Sequence, residues 1–287
     1  MIACVRPGEG VLVALAFCAI AVPVAAQQTF TGRLSDSACA AAHRKPDHTD
    51  RECLFACLNA LAKYVLVDAD GRVTPIANQD AMGLPLYAGR PVKITGELKG
   101  DALVVAKVEA IPAHLHIGHV MTNWRDTPGS RGFLPVAIDE ARVAALHAKL
   151  AAKSATLGDI KLHAAHVLNA LDPDVERTGP GAGYGVKKAA AGALQHLDFA
   201  AHADGATPAL TTHAAAASSA LSNAMRLIDE ATAAAQQVRS AADASAAAPA
   251  ASRLAALTEE ILDRALQDAQ SHLALVLKAE GLVGAPR

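Results

Sequence analysis

The sequence predicts an α+β chain: a small β-rich domain followed by an up-down bundle of four to five helices. Three observations carry this prediction. Apolar residues alternate between residues 64 and 110 around the turn Asp68-Ala69-Asp70-Gly71, the period of half-buried strands. From Val136 onward the period is that of amphipathic helices, broken at Ser154-Ala155-Thr156, at Asp204-Gly205-Ala206 and at Pro249. The composition, 52% apolar but only 3% aromatic, puts Leu, Val and Ala in the core, which suits closely approaching helices better than a large sandwich. At 287 residues the chain is long enough for two ordinary domains.

The N-terminal stretch carries a targeting pattern. Arg6 precedes an apolar run over residues 11–22, and Val24-Ala25-Ala26 supplies a small-residue cleavage site, so residues 1–26 are expected to be a signal peptide and Gln27 the first mature residue. The run is short for a membrane span, and later alanine-rich stretches are interrupted by Asn223, Arg226, Asp229 and Glu230. The expected product is periplasmic or secreted and not an integral membrane protein once processed. Nucleic acid is not an expected partner: 26 Lys and Arg against 28 Asp and Glu leave no basic field.

Residues 27–112 form the β-rich, cysteine-containing domain. Cys4 and Cys18 leave with the signal, so Cys39, Cys53 and Cys57 remain in an oxidising compartment. One disulfide, from Cys39 to Cys53 or to Cys57, would leave one thiol. The alternative is a metal site: Cys53 and Cys57 are four apart on a helix expected over residues 50–64, and His43 follows Cys39 by four, a thiolate and imidazole set suited to zinc or copper. No C-x-x-C-H run is present for covalent haem attachment. Strands are expected at 64–67, 73–77, 91–98 and 102–110. The runs YVLVDADGRVTPI and AGRPVKITGELKGDALVVAKVEAI resemble the small OB-fold domains of exported bacterial proteins, over about a sixth of the chain. That resemblance implies a small OB-like β-barrel, without implying a ligand.

Residues 113–135 read as a linker holding His114, His116, His119, Met121 and the only tryptophan, Trp124. The alternate spacing of the histidines fits either a ligand strand, with His116 and His119 as candidate metal ligands, or a polar linker whose Trp124 plugs the domain junction.

Residues 136–287 form the alanine-rich bundle, with helices expected at 136–153, 157–171, 185–203, 208–244 and 250–280. Pro208 and Pro249 mark first turns, and Gly281 a helix end. The loops set the heights of the histidines. His147 lies eight residues before Ala155 and His163 eight after it, with His166 one turn further; His196 precedes Asp204 by eight and His213 follows it by nine. At about 1.5 Å per residue, His147, His163, His196 and His213 fall in one layer of an up-down bundle, with His166 close by. His147 lies on an apolar stripe; His163, His196 and His213 lie about 60–80° to one side of theirs. His272 falls level with Leu221 and is left outside the layer.

The connection Gly179-Pro180-Gly181-Ala182-Gly183-Tyr184-Gly185, with Lys187 and Lys188 after it, has glycines before a helix but no G-x4-G-K-[ST], so it is not a P-loop. No catalytic residues are identified: G-x-S-x-G is missing, and the helices lack the E-x-x-H pairs of di-iron bundles. An enzyme is therefore the less expected class. The common height of the histidines points to a transition metal (copper, iron or zinc) or haem b held by His147, His163, His166, His196 and His213, for electron transfer or metal handling with a redox partner, and the bundle resembles cytochrome-type bundles in architecture only. The competing expectation is a cofactor-free envelope module that packs its long hairpin against a partner.

Overall fold

The computed structural model describes residues 27–40, 42 and 49–282; the expected signal peptide and His43 lie outside them. Five antiparallel strands form one sheet: β1 (Gln28–Asp36), β2 (Tyr64–Val67), β3 (Val73–Pro75), β4 (Pro91–Lys99) and β5 (Ala102–Ala110), in the order β3-β2-β1-β4-β5. The two ends of β1 serve different neighbours, residues 28–33 pairing with β4 and residues 33–36 with β2. The changeover falls beside Gly32, where a Cβ would run into the Val67 carbonyl, so only glycine lets the strand bend that closely across its partner. Just past β3, Ile76 bridges Leu103 of β5 in parallel, and the Ala77 amide donates to the Leu103 carbonyl at 2.9 Å. Leu34, Leu66, Ile94 and Leu103 fill the core of this half.

Helix α1 (Asp50–Asn59) opens with a capping box: the Thr49 side chain accepts from the Glu52 amide, and the Thr49 amide donates to the Glu52 carboxylate. It ends five residues before the expected boundary, because Tyr64 is needed by β2 for pairing with Asp36.

The expected linker strand is instead a helix, α2 (Pro112–Met121). Pro112 sits at its first turn, where the missing N–H costs nothing, and Ala113, Ile117 and Val120 make an apolar stripe buried in the helical core. Alternation of the histidines misleads here, since the stripe recurs every three to four residues. The bundle continues with α3 (Phe133–Lys153), α4 (Leu157–Leu171), α5 (Val186–His202), α6 (Pro208–Ser240), α7 (Ala244–Glu260) and α8 (Gln267–Ala279). A π-helical segment, Ile261–Leu266, joins the last two. The bundle thus has seven α-helices among the described residues, not four or five. None of the helices among the described residues is long and apolar enough to cross a membrane.

Alanine makes much of the helical core, with Ala137, Ala148, Ala164, Ala189, Ala193, Ala217 and Ala231 fully buried. Such faces let helices approach closely, so packing depends on shape. Gly192 shows how tightly: a Cβ there would enter the Phe133 ring.

Two buried polar devices fix the ends. Glu140 on α3 is 2% exposed and accepts from the amides of Ala182 at 3.2 Å, Tyr184 at 3.0 Å and Gly185 at 3.1 Å. The glycine loop before α5 therefore does bind an anion at a helix start, but the anion is the protein's own carboxylate. Asn169 holds the same loop through the Glu176 carbonyl and the Gly181 amide. At the other end, His114 of α2 meets Glu280 after α8 at 2.8 Å, and Glu280 also accepts from the Thr207 hydroxyl that caps α6. Burial works against ionising Glu280, but the hydrogen bonds from His114 and Thr207 outweigh it and hold the carboxyl below its usual value. The sheet is tied on by Arg33, which pairs with Asp50 and reaches the Gly281 carbonyl at 3.3 Å.

Candidate metal centres

The histidines do not form one layer. They form separate groups, two of which contain three rings each. The first contains His147 of α3 and His163 and His166 of α4. Because α3 and α4 form a hairpin turning at residues 154–156, His147 and His163 face each other as the loop count requires, with Nδ1 atoms 3.0 Å apart. His166, one turn on, brings its Nδ1 to 3.3 Å from that of His147.

In the second group His196 of α5 meets His116 and His119 of α2, not His163 or His213. Its Nδ1 lies 3.0 Å from that of His116 and 3.3 Å from that of His119. The reason is α2 itself: its buried stripe packs along α5, antiparallel to it, with the Ala113 amide donating to the Asp204 carbonyl just beyond the end of α5. Trp124, Phe133 and Phe199 wall this group, with ring centroids 4.9, 5.4 and 5.6 Å from that of His196. His196 is the most buried of the group, at 7% exposure.

His213 of α6 pairs with His272 of α8, the residue left outside the expected layer, at an Nδ1 separation of 3.3 Å. The expected turn before the last helix lies at residues 245–249, with Pro249 opening the helix, whereas Asp243 caps α7 by accepting from the Ala246 amide and Pro249 lies inside the helix. Moving the centre of the turn back by about four residues moves the level opposite His272 by about eight, from Leu221 to His213.

Three sulfurs form a further group. Cys39 Sγ lies 3.8 Å from Cys53 Sγ and 3.6 Å from Cys57 Sγ, well beyond the roughly 2.05 Å of a disulfide bond. Cys53 and Cys57 share one face of α1, and Cys39 is positioned by the Asp36 carboxylate, which accepts from the amides of Ala38 and Cys39. Burial, then the hydrogen bond with Cys39 and the charge of Asp36, push the Cys57 thiol up to about 12. A cation at this point would reverse that balance, since a metal takes the thiolate.

Within each three-membered group the ligand atoms all lie within 4.8 Å of one another. A neutral imidazole has one N–H and one lone pair, so three converging Nδ1 atoms cannot all satisfy one another. One ion at their centre can use three lone pairs at once. Two nitrogens bound at about 2.0–2.1 Å in tetrahedral geometry are about 3.3 Å apart, close to the separations in both histidine groups.

The protonation states suit ligation. Burial lowers His116, and burial followed by the His116 charge lowers His119. His147 is lowered by burial, then by His166 and His163, and His166 by burial, then by His163. Burial first, then His119 and His116, bring His196 down to about 4. These folded-state values lie below the unfolded value of about 6.5, so below that pH the unfolded chain binds more protons. The stability tied to neutral rings is complete above about pH 6.5 and is lost as pH falls through the folded values, toward about 4 for His196. The midpoint of thermal unfolding in chelator is therefore expected to fall by several degrees on acidification across that window. A midpoint flat with pH there would count against burial of neutral rings.

A cavity of about 540 Å³ opens where the sheet meets α2, bordered by Arg51, Arg90, Arg131, His114 and His119. His119 belongs to both this wall and the second group. Comparison with protein-family models, curated proteins and solved structures returns no match.

Proposed function

We propose that the protein is an exported, periplasmic metal-binding protein that holds transition-metal ions at two three-histidine centres, His147/His163/His166 and His116/His119/His196. The observation that carries this reading is the repetition: in each group three Nδ1 atoms converge with separations of 3.0 and 3.3 Å. A single such cluster has structural explanations. Two built alike on different helix pairs point to a shared ligand.

An ion fits better than b-type haem. A bis-histidine haem needs two nitrogens about 4 Å apart, twice a metal–nitrogen bond of about 2.0 Å, with the macrocycle passing between the rings. Rings whose Nδ1 atoms are 3.0 Å apart leave no such slot. Three imidazoles suit zinc, copper or iron, and the three thiols of Cys39, Cys53 and Cys57 suit monovalent copper or zinc, so zinc and copper are the metals common to all three groups. Several centres on one chain favour metal handling over a single electron-transfer cofactor. We read the sheet beside the thiols as an OB-like barrel, a reading supported by its strand order and by the bridge from Ile76, just past β3, to Leu103 of β5.

Equilibrium dialysis of reduced, untagged protein tests this. Retention of at least two equivalents of zinc or copper, without haem uptake, is the expected result. Retention of none would refute the reading and leave the envelope module.

A further inference from the structure

The pair His213–His272 repeats the geometry of the two larger groups. His116 and His196 have ring centroids 5.3 Å apart at an interplanar angle of 35°, and His147 and His163 5.2 Å at 36°. His213 and His272 have 5.6 Å and 33°. In all three the Nδ1 atoms face each other across two helices at 3.0 to 3.3 Å. The helices run antiparallel in each case: α3 and α4 form a hairpin, α2 begins beside the end of α5, and Thr207 at the start of α6 meets Glu280 after α8.

The sequence around each pair repeats too. One helix carries the histidine that is followed three residues later by a second histidine: His116 and His119, His163 and His166. These second rings meet the partner histidine edge-on, at 79° and 82°. The other helix carries a single histidine followed three residues later by a large apolar residue held partly in solvent: Leu150 after His147 and Phe199 after His196, 39% and 42% exposed. Leu275 follows His272 by three and is 46% exposed, so α8 is the single-histidine helix of the third pair. On α6 the place of the second ring, three residues after His213, holds Ala216.

We propose that His213 and His272 are a third metal site of the same construction, which takes the same ion with two protein ligands because Ala216 stands where the others have histidine. It binds more weakly than the complete centres, and its missing ligand position is open to water or to a donor from another molecule. This makes the bundle a series of three ion sites of graded affinity. The inference rests on the reading of the two complete centres as metal sites.

Zinc titration by calorimetry, on the full reduced chain, tests it with two variants. Ala216→His is expected to convert one weak equivalent to a tight one, with a gain on the order of tenfold to a hundredfold in affinity, as a third direct ligand should give at least what an outer-shell partner gives. His272→Ala is expected to remove the weak equivalent and leave the tight ones, and circular dichroism serves to show that both variants remain helical. If the parent fills its two complete centres but both variants titrate like the parent, the third site is refuted while the centres stand. If the parent takes no zinc and Ala216→His gains none, both readings fall.

Discussion

The protein carrying His147→Ala and His163→Ala together is expected to lose one tight metal equivalent while keeping that of His116, His119 and His196. Only His166 would remain of the first centre, and a lone imidazole on a helix is a weak ligand. Loss of an outer-shell partner alone costs about tenfold to a hundredfold in metal affinity, so loss of two direct ligands should cost on the order of a thousandfold, about 4 kcal/mol. The fold should survive, because alanine suits these positions on alanine-rich helices and all three rings are only partly buried. Metal titration beside a thermal melt checks both halves of the expectation. An unchanged stoichiometry would remove the first centre from the account; a loss of both equivalents with an intact fold would mean that the two groups are not independent.

Glu140→Ala should have the largest effect on stability. The side chain is nearly inaccessible and its two oxygens serve three backbone amides of the loop that leads into α5. Hydrogen bonds to a charged group contribute about 1.5–3 kcal/mol each, and stranded buried donors add their own penalty. The carboxylate also sits at the start of α5, where the helix favours a negative charge. A net loss of about 3 kcal/mol or more follows, on the order of 10 °C in the thermal midpoint for a domain of this size. Glu140→Gln keeps an acceptor oxygen but not the charge and should fall between. A loss below about 1 kcal/mol for the alanine variant would show that water replaces the carboxylate without difficulty.

How much of this was legible in the sequence depended on whether a local signal set the geometry. The α+β division, the strands β2 and β5 and the α3–α4 hairpin follow from periodicity and loop position, and with that hairpin comes the first centre, since counting from Ala155 places His147 opposite His163 directly. The second centre was hidden by α2. Spacing of two between His114 and His116 suggested a strand, while the stronger signals were Pro112 as a helix start and the stripe Ala113, Ile117, Val120. The spacing of three in His116–His119 equals that in His163–His166, and this repeat within the sequence could have found the pair. Its partner could not be found that way: that α5 packs against α2 is a matter of tertiary fit between small side chains, which periodicity does not encode. For His213 and His272 the difference lies in a turn. Pro249 reads as a first-turn residue, yet the Asp243 side chain caps the helix six residues earlier, and a displaced turn shifts every pairing along two long helices. Convergence of Cys39 on Cys53 and Cys57 was half legible, as the two helical cysteines share a face by spacing while Cys39 arrives through the end of β1.

The central claim, that two three-histidine groups each hold one ion through Nδ1, is tested most directly by imidazole ¹⁵N NMR of the full chain as zinc is added. The account predicts that the Nδ1 resonances of His116, His119, His147, His163, His166 and His196 move together to the metal-bound range, two ions filling six rings, while His114, held by Glu280, does not move. Zinc that binds elsewhere and leaves these six resonances in place would contradict it.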